Sequence, residues 1–233
     1  MNVIFRRLWN DLLDLFYPNL CCACHRSLVG NEEVICTNCR LNLPYSNGHL
    51  IRIPSLMDKF VGKVAVKAVF TFLKFEKRSK VQRLLHQLKY NNRPDIAQTL
   101  GRLYGLELKK AGIDEQLNIL IPIPLHTRKR EQRGYNQSDA FAEGLSESLG
   151  IAWSSELLQR VRFTATQTHK TRFERFENVA GIFEVTQSAK IQGKSIGLID
   201  DVVTTGATLE SAIDALLQSG AKEVSVITIA AAY

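Results

Sequence analysis

The stretch 195–210, SIGLIDDVVTTGATLE, constrains the fold of this chain more than any other part of it. An apolar run over 196–199 leads into Asp200 and Asp201, then into Thr204, Thr205, Gly206, Ala207 and Thr208. A helix follows, predicted over 207–218 and closed by Gly220. A strand that reaches a helix through a short polar loop belongs in a parallel sheet, and ligands of such sheets sit beyond the carboxyl ends of the strands. There the first-turn N–H groups of the helix have no partner within it, and its dipole favours an anion. Gly206 lets a ligand approach the backbone closely, and the threonine hydroxyls add donors, so the loop can cradle a phosphate monoester. The two carboxylates add acceptors for ribose hydroxyls, or for a magnesium ion held with them.

The rest of the chain fits that frame. Alternation predicts a strand over 64–70, and Val81, Leu84, Leu85 and Leu88 predict a helix over 78–90 whose other face carries Lys80, Arg83 and Lys89. A helix over 95–111 ends at Gly112, a short apolar run over 119–123 reads as a strand, a helix over 138–149 is closed by Gly150, and a last strand covers 224–229. Strands alternating with helices imply an α/β fold with a mostly parallel sheet covered on both faces. In 233 residues, 45% hydrophobic and 23% charged, a packed core forms, which excludes disordered and collagen-like classes. No P-loop, HExxH or helix-turn-helix pattern is present.

Phe5, Leu8, Trp9, Leu12, Leu13 and Phe16 recur at helical spacing and predict an amphipathic helix over 1–18 that Pro18 stops. Packing against the rest of the protein is the first expectation for this face, ahead of a membrane or a partner. Arg6, Arg7, Asp11 and Asp14 interrupt the apolar stretch that a secretory signal would need. No run of uncharged apolar residues is long enough to form a transmembrane segment, so the expected location is cytoplasmic.

All five cysteines fall between positions 21 and 39, and in a cytosolic chain such crowding reads as metal binding before disulfides. Cys21-x2-Cys24, eleven intervening residues and Cys36-x2-Cys39 form two knuckles able to converge on a tetrahedral zinc. Four thiolates would close the coordination sphere and make the ion structural. Cys22 is spare, and Cys22-x2-His25 is a rival pair. The module, over 19–45, has almost no periodic apolar pattern, so metal rather than a core is expected to hold it together.

Two further stretches are rich in cations. Over 121–137, IPIPLHTRKREQRGYNQ, Arg128, Lys129, Arg130 and Arg133 crowd between a strand and a helix. Over 160–181, Arg160, Arg162, Lys170, Arg172 and Arg175 stand against Glu174 and Glu177. Each could be a solvated surface or an anion-binding segment. The whole chain carries 30 Lys and Arg against 23 Asp and Glu, a net charge of +7, which favours phosphorylated or nucleic-acid partners.

D-D-V-V-T-T-G-A-T resembles the phosphoribosyl pyrophosphate (PRPP) motif of type I phosphoribosyltransferases. With it, Y-P-N-L-C-C-A-C, the second cysteine pair, L-L-H-Q-L-K-Y, I-P-I-P-L-H, R-G-Y-N-Q, R-V-R-F-T-A-T-Q and E-R-F-E-N-V-A-G-I-F together resemble the ComF family of competence proteins. The resemblance implies a type I phosphoribosyltransferase fold over 46–233, joined to the N-terminal helix over 1–18 and a zinc-ribbon-like module of four cysteine ligands over 19–45. It implies that PRPP binds with its 5-phosphate on Thr204, Thr205, Gly206, Ala207 and Thr208, its ribose hydroxyls near Asp200 and Asp201, and its magnesium-bound pyrophosphate near Leu125, His126 and Arg133. A mobile loop carrying Arg175 would close over the leaving group, with Asp200 and Asp201 as the catalytic carboxylates that stabilise the positive charge developing on the ribose. The acceptor is not readable. Two functions stay open: phosphoribosyl transfer with release of pyrophosphate, and a single-stranded-DNA-binding accessory role in DNA uptake with the competence machinery, PRPP acting as a regulatory ligand. A homo-oligomer is compatible with either.

Overall fold

The structure, a computed structural model, describes residues 18–161 and 182–232. The amphipathic segment over 1–17 and most of the basic stretch over 160–181, including Arg175, lie outside the described residues. Thr37–Leu41 form α1 and Pro54–Met57 form α2, ahead of strand β1 (Ala68–Lys74). Helices α3 (Lys80–Tyr90) and α4 (Pro94–Lys110) lead to β2 (Ile119–Pro122), then to α5 (Thr127–Arg133) and α6 (Gln137–Leu149). The short strands β3 (Leu158–Arg160) and β4 (Phe183–Val185) pair antiparallel, and β5 (Ser195–Val203), α7 (Ala207–Gln218) and β6 (Glu223–Ala231) complete the order.

The main sheet has four strands in the order β1-β6-β5-β2, every pair parallel. One face packs on α3, α4 and α6 through residues such as Leu84, Leu100, Phe141 and Ile199, and the other packs on α2 and α7 through Leu56, Leu198, Leu209 and Val226. This is the α/β architecture that the strand-helix rhythm predicts, a parallel sheet covered on both faces, with a cluster of four cysteines near the N-terminal end. Local signals set the helix ends. Ser79 caps α3 by accepting from the Gln82 N–H at 3.2 Å, and Asn136 caps α6 by accepting from the Ser138 N–H at 3.3 Å.

Three features differ from the sequence reading. The first strand lies over 68–74, not 64–70, because Val69 to Leu73 are buried without interruption while Val64 and Val66 only pack at the margin of the core. Alternation marks a half-exposed segment, and a strand buried on both faces does not alternate. The basic stretch after β2 is helical over Thr127–Arg133, ended by Gly134 at φ +76°. It has no apolar stripe because none of its residues is buried, so periodicity could not reveal it. The cysteine module also shares a core with the rest of the chain: Cys21, Cys22, Ala23, Val34, Ile35 and Leu43 belong to the apolar cluster of Val81, Leu84 and Leu88. Its last residues join the sheet edge, where the Ser46 N–H donates to the Phe72 carbonyl at 3.0 Å and the Lys74 N–H to the Pro44 carbonyl at 2.8 Å.

Candidate active site

The register of the sheet brings the acidic pair and the loop after β2 side by side. Pro122, the last residue of β2, pairs with Ile199, and the Ile123 N–H donates to the Ile199 carbonyl at 2.8 Å. Asp200 therefore starts where its neighbour strand has ended, and its carboxylate reaches the carboxyl edge of the sheet. β5 itself runs on to Val203, so both acids still lie within the strand beside β6, and the turn contains only 204–206. The acids are held rigidly by the ladder and are not on a loose loop.

Their surroundings separate them. Asp200 Oδ1 accepts from the Asp201 N–H at 2.8 Å and from Ser138 Oγ at 3.4 Å. Burial, with the Asp201 charge beside it, pushes the Asp200 carboxyl up to about 7. Asp201 Oδ2 instead meets Lys89 Nζ at 2.7 Å. Asp139, in the first turn of α6, accepts from Asn136 Nδ2 at 2.6 Å, and burial pushes its carboxyl up to about 6. A carboxyl pair at the carboxyl edge of a parallel sheet, with the Asp200 carboxyl raised by burial, can hold hydroxyls or a hard cation through oxygen ligands.

Beyond the acids, Gly206 adopts φ +88° and opens α7 with no side-chain cap. A Cβ at this position would stand 3.4 Å from the Phe60 ring, an ordinary contact, so it is the left-handed backbone that calls for glycine. Thr204, Thr205, Ala207 and Thr208 are exposed around it. The uncapped N–H groups of a 12-residue helix, ringed by hydroxyls, form a surface suited to an oxyanion.

The segment after β2 is pinned by the R-G-Y-N-Q block. Asn136 Nδ2 also donates to the Ile123 carbonyl at 3.0 Å, and Tyr135 Oη donates to the Leu88 carbonyl, next to Lys89. Leu125 is half-buried, and exposed His126 caps α5 by accepting from the Arg128 N–H at 3.2 Å. Arg133 Nη1 donates to Gln137 Oε1 at 2.8 Å, and its guanidinium lies over the Tyr90 ring, 6.0 Å from the centroid. Arg128, Lys129 and Arg130 are exposed to solvent. Sequence reasoning did not single out Lys89, Tyr135, Asn136 or Ser138 as part of the site. The polar face of the helix ending at Tyr90 and the R-G-Y-N-Q block were the signals that could have done so.

A second candidate centre lies apart from the first. The four Sγ atoms of Cys21, Cys24, Cys36 and Cys39 all fall within 4.8 Å of one another, with Cys24 and Cys36 at 3.7 Å. A tetrahedral metal with metal–sulfur bonds of about 2.3 Å sets sulfur pairs about 3.8 Å apart. These residues could hold a metal ion. Cys36 also starts α1, its Sγ accepting from the Cys39 N–H at 3.4 Å, while the Cys36 N–H donates to Cys21 Sγ at 3.3 Å. Such N–H···S bonds stabilise thiolates. Burial pushes the Cys39 thiol up to about 12, whereas the backbone N–H of Arg26 lowers Cys24 to about 7. His25 is exposed and Cys22 is absent from the cluster. The Cys22 backbone carbonyl instead accepts from Gln87 Nε2 at 2.9 Å, and burial raises the Cys22 thiol.

Comparison with known proteins identifies the family. Residues 140–232 match the family model for the phosphoribosyl transferase domain. The chain is 32% identical over 220 residues to the DNA utilization protein YhgH of Escherichia coli O157:H7, covering 92% of this chain and 91% of that one. The DNA utilization protein YhgH of Salmonella typhimurium is 38% identical over 146 residues, 61% of this chain and 63% of the relative, so that match spans less than two thirds of its length. Competence protein F of Haemophilus influenzae is 33% identical over 153 residues, 64% of this chain and 67% of the relative. No helix among the described residues is long and apolar enough to cross a membrane.

Proposed function

Because the chain belongs to the ComF family of phosphoribosyltransferase-fold proteins, we propose that it binds PRPP with magnesium beyond the carboxyl end of β5 and transfers the phosphoribosyl group to an acceptor. The observation that carries this reading is the rigid acidic pair running, within three residues of the strand end, into an uncapped helix opened by a left-handed glycine. The 5-phosphate would take the α7 N–H groups with Thr204, Thr205 and Thr208, and the ribose hydroxyls would take Asp200 and Asp201. The oxygen donors of this edge suit magnesium, which would travel with the pyrophosphate and neutralise part of its charge.

In the transfer, the acceptor's lone pair forms a bond to the anomeric carbon as the bond from that carbon to the pyrophosphate oxygen breaks. Pyrophosphate leaves with the electron pair, and the acceptor's proton passes to solvent. Positive charge builds on the ribose ring, facing the carboxylates, and negative charge builds on the leaving group. Leu125, His126 and Arg133 would receive that group, with Arg175 closing from the segment outside the described residues. This is electrostatic stabilisation of two developing charges with no covalent enzyme intermediate. The cysteine cluster would hold a structural zinc, its four-sulfur donor set leaving no open position for chemistry.

Calorimetric titration of PRPP and magnesium into the wild type and Asp200→Asn/Asp201→Asn tests the reading. Saturable binding lost in the double variant is expected, and absence of binding to folded wild-type protein overturns it. A second reading, single-stranded DNA binding in DNA uptake, is favoured by one observation: Arg128, Lys129 and Arg130 are solvent-exposed on α5 and make no ion pair among the described residues. It requires affinity that falls steeply with salt and that weakens when those three are changed to Ala.

A further inference from the structure

The outward face of α4 lines one continuous groove. Toward the N-terminal end of the helix, a recess of about 470 Å³ is bounded by Thr99, Arg102 and Leu103, with Val29, Val34 and Ile35 of the cysteine module opposite. A second recess, of about 340 Å³, is bounded by Leu103, Leu106, Glu107 and Lys110, with Leu41 and Tyr45 opposite. The two share Arg40 and Leu103, so they run together. Thr99, Arg102, Leu103, Leu106, Glu107 and Lys110 follow the i, i+3, i+4, i+7, i+8, i+11 order of a single helix face, while Leu100, Tyr104 and Leu108 turn into the core. Val29 is 69% exposed, Leu41 74% and Leu106 46%, so apolar side chains stand uncovered along the length of the groove. Such a patch on a folded chain marks an interaction surface.

We propose that this groove seats the chain's own N-terminal segment, the amphipathic helix that the sequence predicts over 1–17. Phe5, Leu8, Trp9, Leu12, Leu13 and Phe16 repeat the spacing of the α4 face, so the two stripes have the same length, about 16 Å of helix. The chain also enters at the matching end. The Leu28 N–H donates to the Asn19 carbonyl at 2.8 Å and Leu20 pairs with Ser27, which fixes residue 19 against the neighbour of Val29, a wall of the first recess. Only Tyr17 and Pro18 separate Phe16 from Asn19, so Phe16 falls toward Thr99 and Phe5 toward Leu106, antiparallel to α4. On a helical projection Arg7, Asp11 and Asp14 lie opposite the apolar stripe, in solvent, and Arg6 borders it at the Glu107 end. Two rival occupants fit less well. The side-chain charges of 1–17 cancel, two arginines against two aspartates, which gives no attraction to an anionic lipid surface. A second copy would have to compete with a segment tethered beside the groove. The docking is independent of the phosphoribosyl chemistry, and it would bridge the cysteine module to α4.

Trp9 reports the docking, because it lies on the apolar stripe and the chain has one other tryptophan, Trp153. In the whole chain carrying Trp153→Phe, the Trp9 emission is expected to be blue-shifted and protected from acrylamide. Should that variant fail to fold, the wild-type spectrum less that of Trp9→Phe gives the same reading. Val29→Asp and Leu106→Asp alter exposed side chains, one at each end of the groove, so the fold tolerates them. Each is expected to lower the ratio of docked to undocked segment about tenfold, the loss of one buried aliphatic side chain. The double variant should shift the emission to the red and restore quenching, whereas Asp14→Asn, on the solvent side, should change neither. Trp9 open to acrylamide in the folded chain, or buried but indifferent to both groove substitutions, overturns the proposal. Burial that grows with protein concentration also overturns it and gives the groove to a second copy. Burial that appears only on adding phosphatidylglycerol vesicles overturns it too and makes the segment a membrane anchor.

Discussion

Gly144 on α6 faces Gln98 on α4 so closely that a Cβ at Gly144 would stand 2.1 Å from the Gln98 carbonyl oxygen. Gly101, across the same contact, leaves only 2.5 Å between its own virtual Cβ and the Phe141 carbonyl oxygen. The two helices touch backbone to backbone. That crossing seats α6 deep under the sheet edge, where Ser138 reaches Asp200 and Asn136 ties down the loop after β2. The spacing of the site is therefore set partly by residues that never touch it.

Gly144→Ala is expected to destabilise the protein by about 3 kcal/mol, the upper end of ordinary overpacking costs, because the obstacle is backbone and cannot rotate away. Thermal denaturation should show a melting point lower by roughly 6–12 °C. A melting point indistinguishable from wild type would mean that the helices separate freely.

Asp200 makes stability depend on pH in a stated direction. Its folded-state carboxyl is raised to about 7 by burial, above the unfolded value near 4, so the folded protein holds this proton where the unfolded chain has lost it. Stability from this group falls as pH rises from about 4 to about 7, then stays level. Asp200→Asn removes the cost of burying the charge. Melting curves of the variant should lie above those of wild type at about pH 8 and converge with them near pH 4, while PRPP binding is lost. Parallel curves across this range would contradict the assignment.

Gly206→Ala should be costly through the backbone. An L side chain at φ +88° is strained by about 1–2 kcal/mol, while the added methyl makes only an ordinary contact with Phe60. PRPP affinity is expected to fall about tenfold or more because the loop must shift to relieve the strain. Titration of PRPP and magnesium into the variant, with circular dichroism to confirm folding, checks this, and unchanged affinity would exclude the loop from phosphate binding.

The cysteines should divide sharply. Cys36→Ser removes a cluster sulfur and is expected to lower metal content by atomic absorption from about one ion per chain to near zero, with a loosened N-terminal module. Cys22→Ser should retain the metal, because the Cys22 thiol lies outside the cluster. Binding must also displace the proton that burial holds on Cys39, so affinity for zinc should fall as pH is lowered. Equal loss of metal in both variants would redraw the ligand set.

Local chemistry was legible along the chain. The strand, acidic pair, left-handed glycine and helix over 195–218 are consecutive, and so are the residues of each cysteine knuckle, so residue order alone carries them. Gly112, Gly150 and Gly220 likewise announced helix ends, because a residue free to turn left-handed acts on its immediate neighbours. What depends on residues far apart was not legible. Lys89 reaches Asp201 across 201 − 89 = 112 positions, a distance that only the tertiary fold closes. The end of α3 and the exposed helix α5 likewise wall a common cleft lined by Lys89, Tyr90, Lys129 and Arg133, and α5 buries nothing that would betray its period. The cysteine module draws its apolar support from α3 and α4, so its sequence looked coreless while its structure is not. Periodicity records what a segment does to its own two faces, whereas the partners of those faces are chosen by the packed whole.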